Sequence, residues 1–285
     1  MNLASHARNV YSQFGEDGMI DEMLNRIGDE HLTKWCVEFG AWDGVHLSNT
    51  CNLIRSRGYR AVLIEGDPAK AAAIAQNHPT PSVLTRIAMV QCEGPDTLDN
   101  LLAGTPIPER FDLLSIDIDG ADYWILESLQ RYRPLIIVIE YNPSIPNAVH
   151  FVQERSTAVQ RGSSARAILE LAMERGYRLA ATTTTNLLLV HEEHADSVLD
   201  AETVAASAGA DAVAVLDSLR AHDPVYAFAL YDGTVCTSRR VTLNWHGTTL
   251  PSTELYRVPR PFRAPMDWGK RRRFAWRIYR RLRLR

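Results

Sequence analysis

Long apolar runs are the first thing this 285-residue chain lacks. None approaches the roughly 20 residues that a membrane-spanning helix needs, so a spanning protein is not expected. The stretch Met1-Asn2-Leu3-Ala4-Ser5-His6 holds no apolar signal core, which predicts a protein that is not secreted. Cysteine is scarce and scattered: Cys36, Cys51, Cys92 and Cys236, with no close pair and no Cys/His cluster. That spacing excludes a disulfide framework and a zinc site, and it predicts reduced thiols in a cytoplasmic protein. Also missing is the Gly-x-Gly-x-x-Gly loop that cradles a pyrophosphate, which disfavours a nicotinamide-dinucleotide enzyme. No internal repeat is visible.

What is present suits a globular α/β chain. Apolar residues make up 46% and charged residues 23%, enough for a sizeable core in one large domain with an appendage or in two small domains. The net charge of −3 is unevenly spread. Residues 269–285 carry nine positive charges and no carboxylate, and taking nine from −3 leaves the remainder at −12. An acidic body with a basic tail predicts a separate partner for the tail.

Periodicity sets out the elements. Ser12–Ile27 reads as a helix, with Ile20, Met23, Leu24 and Ile27 on one face. Short β-branched runs then alternate with helical patterns. The strands are Lys34–Phe39, Arg60–Ile64, a third within Ser82–Val90, Phe111–Ile116 and Leu135–Ile139. The helices between them are Ser48–Arg57, Pro68–Gln76, Leu98–Leu102 and Tyr123–Arg131. Such alternation predicts a parallel sheet with right-handed crossovers. After Glu140 the pattern changes. A helix at Ser163–Arg175 is followed by strands at Tyr177–Ala181 and Asn186–Val190, close enough to pair antiparallel. Farther on, Ala201–Ala221 reads as a helix, Tyr226–Thr237 as a hairpin turning at Asp232-Gly233, and Pro251–Pro265 as an extended arm. The expected division is a helical cap (1–30), an α/β catalytic domain (31–195), a helix, hairpin and arm (196–268) and a basic amphipathic tail (269–285).

Four motifs fall at strand ends. Glu38-Phe39-Gly40-Ala41-Trp42-Asp43-Gly44 closes the first strand, and glycines there let backbone approach a ligand. Ser48-Asn49 opens the following helix, whose free N–H groups suit a carboxylate. The candidate ligand contacts are therefore Glu38, Gly40, Ala41, Asp43, Gly44, Ser48 and Asn49; the plain alternative is a strand-to-helix turn. Glu65 ends the second strand, some 20 residues on, where an acid accepts hydrogen bonds from both ribose hydroxyls, or else is a solvated strand-end carboxylate. Asp117, Asp119 and Asp122 cluster after the fourth strand, and alternation points Asp117 and Asp119 to one side. Carboxylates so close repel unless a cation, donor or proton separates them. Glu140 and Asn142 follow the fifth strand at the same rim. Asp117, Glu140 and Asn142 suit Mg²⁺ or a similar hard cation, or bind an organic ligand without metal.

Together the four motifs resemble FkbM-type S-adenosylmethionine (SAM) dependent methyltransferases, related to macrocin-type sugar O-methyltransferases. The likeness extends to Tyr11-Ser12-Gln13-Phe14-Gly15-Glu16-Asp17-Gly18, to Gly176-Tyr177-Arg178-Leu179 and to Asn186-Leu187-Leu188-Leu189-Val190, so it covers roughly residues 10–195. It implies a Rossmann-like α/β fold, a mostly parallel seven-stranded sheet ending in an antiparallel hairpin. It also implies methyl transfer from SAM to a hydroxyl of a sugar, polysaccharide or glycosylated natural product. Glu38, Gly40, Asp43 and Gly44 would cradle the methionine part, Glu65 the ribose, and Asp117 would lie near the methyl group. This chain departs from the family at Asp122, which stands where that pattern has a glutamate.

Removing the hydroxyl proton requires a base or a metal. The candidate bases are Asp117, Asp119, His46 and His150, each histidine having a plain surface reading beside it. Glu16 and Asp17 read either as part of a lid or as first-turn acids that suit the helix dipole. Phe274, Ile278 and Leu282 recur every four residues in the tail. As a helix this segment suits an anionic membrane surface on the inner face; the alternatives are a disordered end or a non-specific grip on an acidic polymer. No nucleic-acid partner is expected. The alternative functions are a SAM-fold scaffold without turnover, and transfer to a nucleic acid or other non-sugar acceptor. Homo-oligomerisation is left open.

Overall fold

Strand β1, Trp35–Phe39, is buried at every position, as a strand covered on both faces must be. Its neighbours in the computed structural model are β2 (Arg60–Glu65), β3 (Val83–Ile87), β4 (Leu113–Ile116), β5 (Ile136–Glu140), β6 (Tyr177–Thr182) and β7 (Asn186–His191). The structure describes residues 2–201, 203–204, 211–220, 224–243, 246–263 and 269–283.

The seven strands form one sheet in the order β3-β2-β1-β4-β5-β7-β6. All pairs from β3 to β5 are parallel. Strand β7 runs antiparallel to both β5 and β6. This is the expected Rossmann-like sheet with its closing hairpin. The chain steps outward from β1 to β3 and then returns to lay β4 against β1. The strand order therefore reverses between β1 and β4, and ligands of open α/β sheets bind at the carboxyl ends beside such a point.

The period-2 alternation of the strands sorts the core into two layers. Val37, Phe39, Val62, Ile64, Leu114, Ile116, Ile137 and Ile139 face one way, against α4 (Leu98–Ala103), α5 (Asp122–Ser128), α6 (Ala165–Glu174) and α8 (Ala212–Leu219). Cys36, Ala61, Leu63, Leu113, Ile136 and Val138 face the other way, against α1 (Glu16–Ile27), α2 (Cys51–Arg57), α3 (Pro68–Asn77) and α7 (Ala195–Val198). All four cysteines are free thiols, three of them buried.

Some ends differ from expectation, each for a local reason. Helix α1 begins at Glu16, not Ser12, because Gly15 takes a left-handed φ of 99° and closes the turn ahead of it. Helix α2 begins at Cys51, not Ser48, because Ser48, Asn49 and Thr50 are held by a buried acid. The expected helix Ala201–Ala221 lies partly outside the described residues; residues 201, 203 and 204 are helical, and α8, farther on, ends at Leu219.

Contacts divide the chain into units 1–222 and 223–285. Residues 196–222 go with the sheet, since Ala212, Val215 and Leu216 of α8 join its core. In the second unit, β8 (Ala227–Ala229) and β9 (Val235–Thr237) form the expected hairpin, with Gly233 at φ 84° in the turn. The segment expected as an extended arm supplies β12 (Glu254–Tyr256), which pairs with β9; its end at 264–265 lies outside the described residues. Strands β10 (Thr242–Leu243) and β11 (Thr248–Thr249) form a second small pair. Helix α9, Lys270–Arg283, ends the described chain. No described helix is long and apolar enough to cross a membrane.

Candidate active site

The turn after β1 touches the turn after β4. Gly40 has φ 69°, and a Cβ built on it would lie 2.1 Å from the backbone carbonyl oxygen of Asp117. Only glycine fits there, for both the dihedral and the space. Farther along, Asp43 accepts from the backbone N–H groups of Val45 and His46. The Asn77 amide donates to the Asp43 carbonyl, and the His78 ring meets the Gly44 carbonyl at 2.8 Å. Helix α3 thus braces the glycine turn from behind.

Glu38 organises the loop that follows the glycine turn. It is buried on β1, on the α2 side of the sheet, and both of its oxygens are engaged. One accepts from the Ser48 and Thr50 hydroxyls at 2.6 and 2.7 Å, the other from the Asn49 N–H at 2.8 Å. Burial raises its pKa, and these donors oppose that rise. Glu38 therefore fixes the Ser48–Thr50 loop. Ser48 and Asn49 are buried, and the Asn49 amide donates to the Ser115 hydroxyl on β4. Ala41 is buried in the core, and its N–H donates to the Ile64 carbonyl.

Glu65, at the end of β2, accepts from the Trp42 and Asp67 N–H groups at 2.8 and 2.9 Å, one on each oxygen. A carboxylate offers about four lone-pair sites, so each oxygen keeps one for a ligand. Trp42, held there at φ 50°, leaves its indole half exposed with the Lys70 ammonium 3.4 Å from the ring centre. Sequence reasoning passed over this tryptophan; its place inside the glycine motif was the available signal.

The carboxylates converge after β4 and β5. One oxygen each from Asp117, Asp119 and Glu140 lies within 4.8 Å of the other two, the only such group of acids, histidines or cysteines among the described residues. Strand alternation does not bring Asp119 in, as the sequence suggested. Strand β4 ends at Ile116, and Asp119 sits in a left-handed turn at φ 58°. That turn is held by Asp122, which is buried and accepts from the Ile118 and Gly120 N–H groups. The residue that departs from the family pattern thus has a structural role.

Two of the three clustered acids, Asp117 and Glu140, resist ionisation. Asp117 keeps an exposed face, yet the protein around it raises its pKa to about 8, and the charges of Asp122, Asp119, Glu38 and Glu16 add to the rise. Glu140 is pushed up to about 10, first by burial and then by Asp117, Asp122 and Asp119. Three acids this close cannot all be charged at neutral pH without a counter-cation or a shared proton.

Glu16, read from the sequence as part of a lid or as a first-turn acid, belongs beside this rim. It is fully buried, and one of its oxygens accepts from the Asn186 amide at the start of β7. Asn186 is the register partner of Glu140. Asp17, its neighbour, accepts from the N–H groups of Val10, Tyr11 and Ser12 and so ties down the segment ahead of α1. Another missed residue is Gln153, buried in the loop after β5. It donates to the Ser156 and Val159 carbonyls and accepts from the Arg161 and Gly162 N–H groups.

Three expected groups stay out of the cluster. His46 is exposed, with its ring 6.0 Å from that of Trp42. His150 is exposed and paired with Glu170 of α6 at 3.4 Å. Asn142 spends its side chain on its own loop: its amide nitrogen donates to the Arg161 carbonyl, and its oxygen accepts from the Ser144 N–H and hydroxyl. That removes the Asn142 oxygen from the expected metal ligands, while Asp119 joins Asp117 and Glu140. A separate polar cleft, lined by His6, Arg8, Asp21, Glu22 and Arg57 among others, shares no residue with this rim.

Residues 96–179 match the family described as the methyltransferase FkbM domain, so the resemblance read from the sequence is borne out over that segment. The matched segment holds Asp117, Asp119, Asp122 and Glu140 and begins after the glycine turn. No curated protein sequence matches the chain. Among solved structures, the chain is similar to the citrinin polyketide synthase CMeT domain, at 12% identity and TM-score 0.38, over 56% of this chain and 48% of that one. It is similar to a putative sarcosine dimethylglycine methyltransferase from Galdieria sulphuraria, at 12% identity and TM-score 0.39, over 57% and 61%. It is also similar to an O-methyltransferase from Bacillus cereus in complex with SAH, at 20% identity and TM-score 0.38, over 55% and 74%. The chain thus spans about half the length of the first of these. The strand order described above, not these likenesses, defines the fold.

Proposed function

We propose, for a chain that carries an FkbM-type methyltransferase domain over residues 96–179, that it transfers a methyl group from SAM to a hydroxyl of a sugar-like acceptor. The observation that carries this reading is the contact between Gly40 and the Asp117 carbonyl. It puts a close-approach turn and a cluster of acids at one point beside the strand reversal. The residues fit SAM. Glu65 keeps an open lone pair on each oxygen for ribose hydroxyls. The stretch from Gly40 to Thr50 contains no lysine or arginine to meet a pyrophosphate. The carboxylate rim complements a ligand that bears positive charge.

When bound, SAM supplies an electrophilic methyl group on a sulfonium. The chain's residues then have three tasks. Gly40 and the loop braced by Glu38 and Asp43 shape the pocket. Glu65 orients the nucleoside part. Asp117 would take the proton of the acceptor hydroxyl whose oxygen receives the methyl group. A raised pKa suits it to that task at mildly alkaline pH. The carboxylates also accept hydrogen bonds from hydroxyls, which favours a polyhydroxylated acceptor.

The test is calorimetry with SAM, followed by mass analysis of sugar and polysaccharide acceptors incubated with enzyme and SAM. The expected result is SAM binding and one methyl ether per product. No binding of SAM or S-adenosylhomocysteine would overturn the cofactor. Binding with no transfer to any acceptor would leave a scaffold, and a methylated amine would overturn oxygen as the nucleophile.

A second reading concerns the same rim. The 4.8 Å spacing of the Asp117, Asp119 and Glu140 oxygens suits ligands of one hard cation such as Mg²⁺. Held there, a cation would neutralise the trio and lower the pKa of an acceptor hydroxyl. Turnover is then expected to fall with chelation and to return with Mg²⁺. Unchanged turnover after thorough EDTA treatment would remove the cation.

A further inference from the structure

Helix α9 divides its apolar residues between two faces. Trp276 and Tyr279 stack on each other, 5.4 Å apart, and both pack on Phe262, at 5.2 and 5.8 Å. Phe274, Ile278 and Leu282 do not share this shelter; they are 60%, 45% and 78% exposed. At roughly 100° per residue these three fall within a stripe about 80° wide along the helix. On the same geometry Arg277 and Arg281 border one edge of the stripe. Isolated exposed apolar residues are ordinary, but three aligned on one helix face are not.

We propose that this stripe docks on an anionic phospholipid surface. Two independent features select that partner. The stripe offers aliphatic and aromatic side chains at the depth of a headgroup boundary. The sequence of residues 269–285 carries nine cations and no carboxylate, and arginine stems are long enough to keep their charges at the phosphate level. A nucleic acid would use the cations but leave Phe274, Ile278 and Leu282 in water. A second copy of the same helix would cover the stripe but bring nine cations against nine. Only an anionic bilayer uses both features.

The test is co-sedimentation of the full-length protein with vesicles of phosphatidylcholine, alone or mixed with phosphatidylserine. Mixed vesicles are expected to bind at least about tenfold more tightly, with the difference shrinking as salt rises. The double variant Ile278→Asn/Leu282→Asn keeps every charge and is expected to lose at least about tenfold of that affinity. Its positions are exposed, so the melting temperature should not move. Equal binding to both vesicle types, or full binding by the double variant, overturns the proposal. Binding of a DNA duplex by wild type and double variant alike, with no vesicle binding, replaces it with a nucleic-acid partner. A dimer that the double variant dissolves, again without vesicle binding, replaces it with self-association.

Discussion

Strand β4 has an aspartate immediately before its first residue and another immediately after its last, and the two live under opposite conditions. Asp112, at the amino end, is fully buried and surrounded by donors: the Thr33 N–H and hydroxyl at 2.8 and 2.7 Å, and the Lys34 N–H at 2.9 Å. Asp117, at the carboxyl end, has an exposed face and neighbours that are themselves acids. Five residues apart, one carboxylate has its hydrogen bonds supplied by the fold, and the other has its ionisation opposed by it. A buried acid that is fully satisfied holds structure, whereas acids crowded without donors mark a place where something else must supply the positive charge or take the proton.

Exchanging each aspartate for a residue without charge should separate the two roles. Asp117→Asn is expected to lower kcat/KM by about 10²–10⁴-fold, the usual worth of a general base, with an unchanged melting temperature. Near-normal turnover in that variant would break the comparison at its active end. Asp112→Ala is expected to do the reverse. It leaves the Thr33 and Lys34 N–H groups buried without their acceptor, at a cost of about 2–4 kcal/mol in urea unfolding. The enzyme that remains folded should keep its kcat/KM within about twofold, since no ligand contact is lost. If Asp112→Ala cost activity and no stability, the two ends of β4 would not differ as described.

The same contrast shows what the sequence could convey. The parallel sheet and the closing hairpin were legible because strands alternate with helical patterns up to Glu140 and two close strands follow, and runs such as Leu135-Ile136-Ile137-Val138-Ile139 fit a strand covered on both faces. The glycine turn was legible because Gly40 is required by its backbone. Element ends were less so. Gly15 cut α1 short and Asp119 turned left-handed, and neither conformation can be read from a hydrophobic period. Partnerships were least legible. Glu38 was read as a ligand contact from its place in the motif, and nothing in the sequence showed that its oxygens also hold Ser48, Asn49 and Thr50. Glu16 read as part of a lid or as a first-turn acid, and its partner Asn186, 170 residues away in sequence, was signalled by neither reading. The histidines drew attention by residue type and by lying just past strand-end turns, and His150 turned out to pair with Glu170. Strand-end position predicted which residues would gather; what each then touches depends on loops that carry no periodic signal.

The smallest expected effect concerns the charge that Asp119 adds to the carboxyl end. Asp117 is raised to about 8, so in the free enzyme it is neutral below that pH and basic above it. A base must be ionised to accept a proton, so kcat/KM should rise with pH through a midpoint near 8 and level off above it. Stability should move the opposite way. An acid whose folded-state pKa exceeds the ordinary 3.8 binds its proton more tightly in the folded chain. Its contribution is therefore full below about pH 4 and falls away as pH rises toward 8. Asp119→Asn removes one of the charges that raise Asp117. The activity midpoint should shift to lower pH by about one unit or less, raising kcat/KM near neutrality by less than about tenfold. The same substitution should flatten the fall in stability across that window. The protein around Asp117 and the charges of Asp122, Glu38 and Glu16 still oppose its ionisation in this variant, so the midpoint should stay above the ordinary carboxylate range. An activity profile that keeps its midpoint in Asp119→Asn would assign the titration to a group other than Asp117. A midpoint moved upward would mean that Asp119 acts mainly as a hydrogen-bond partner and not as a repelling charge.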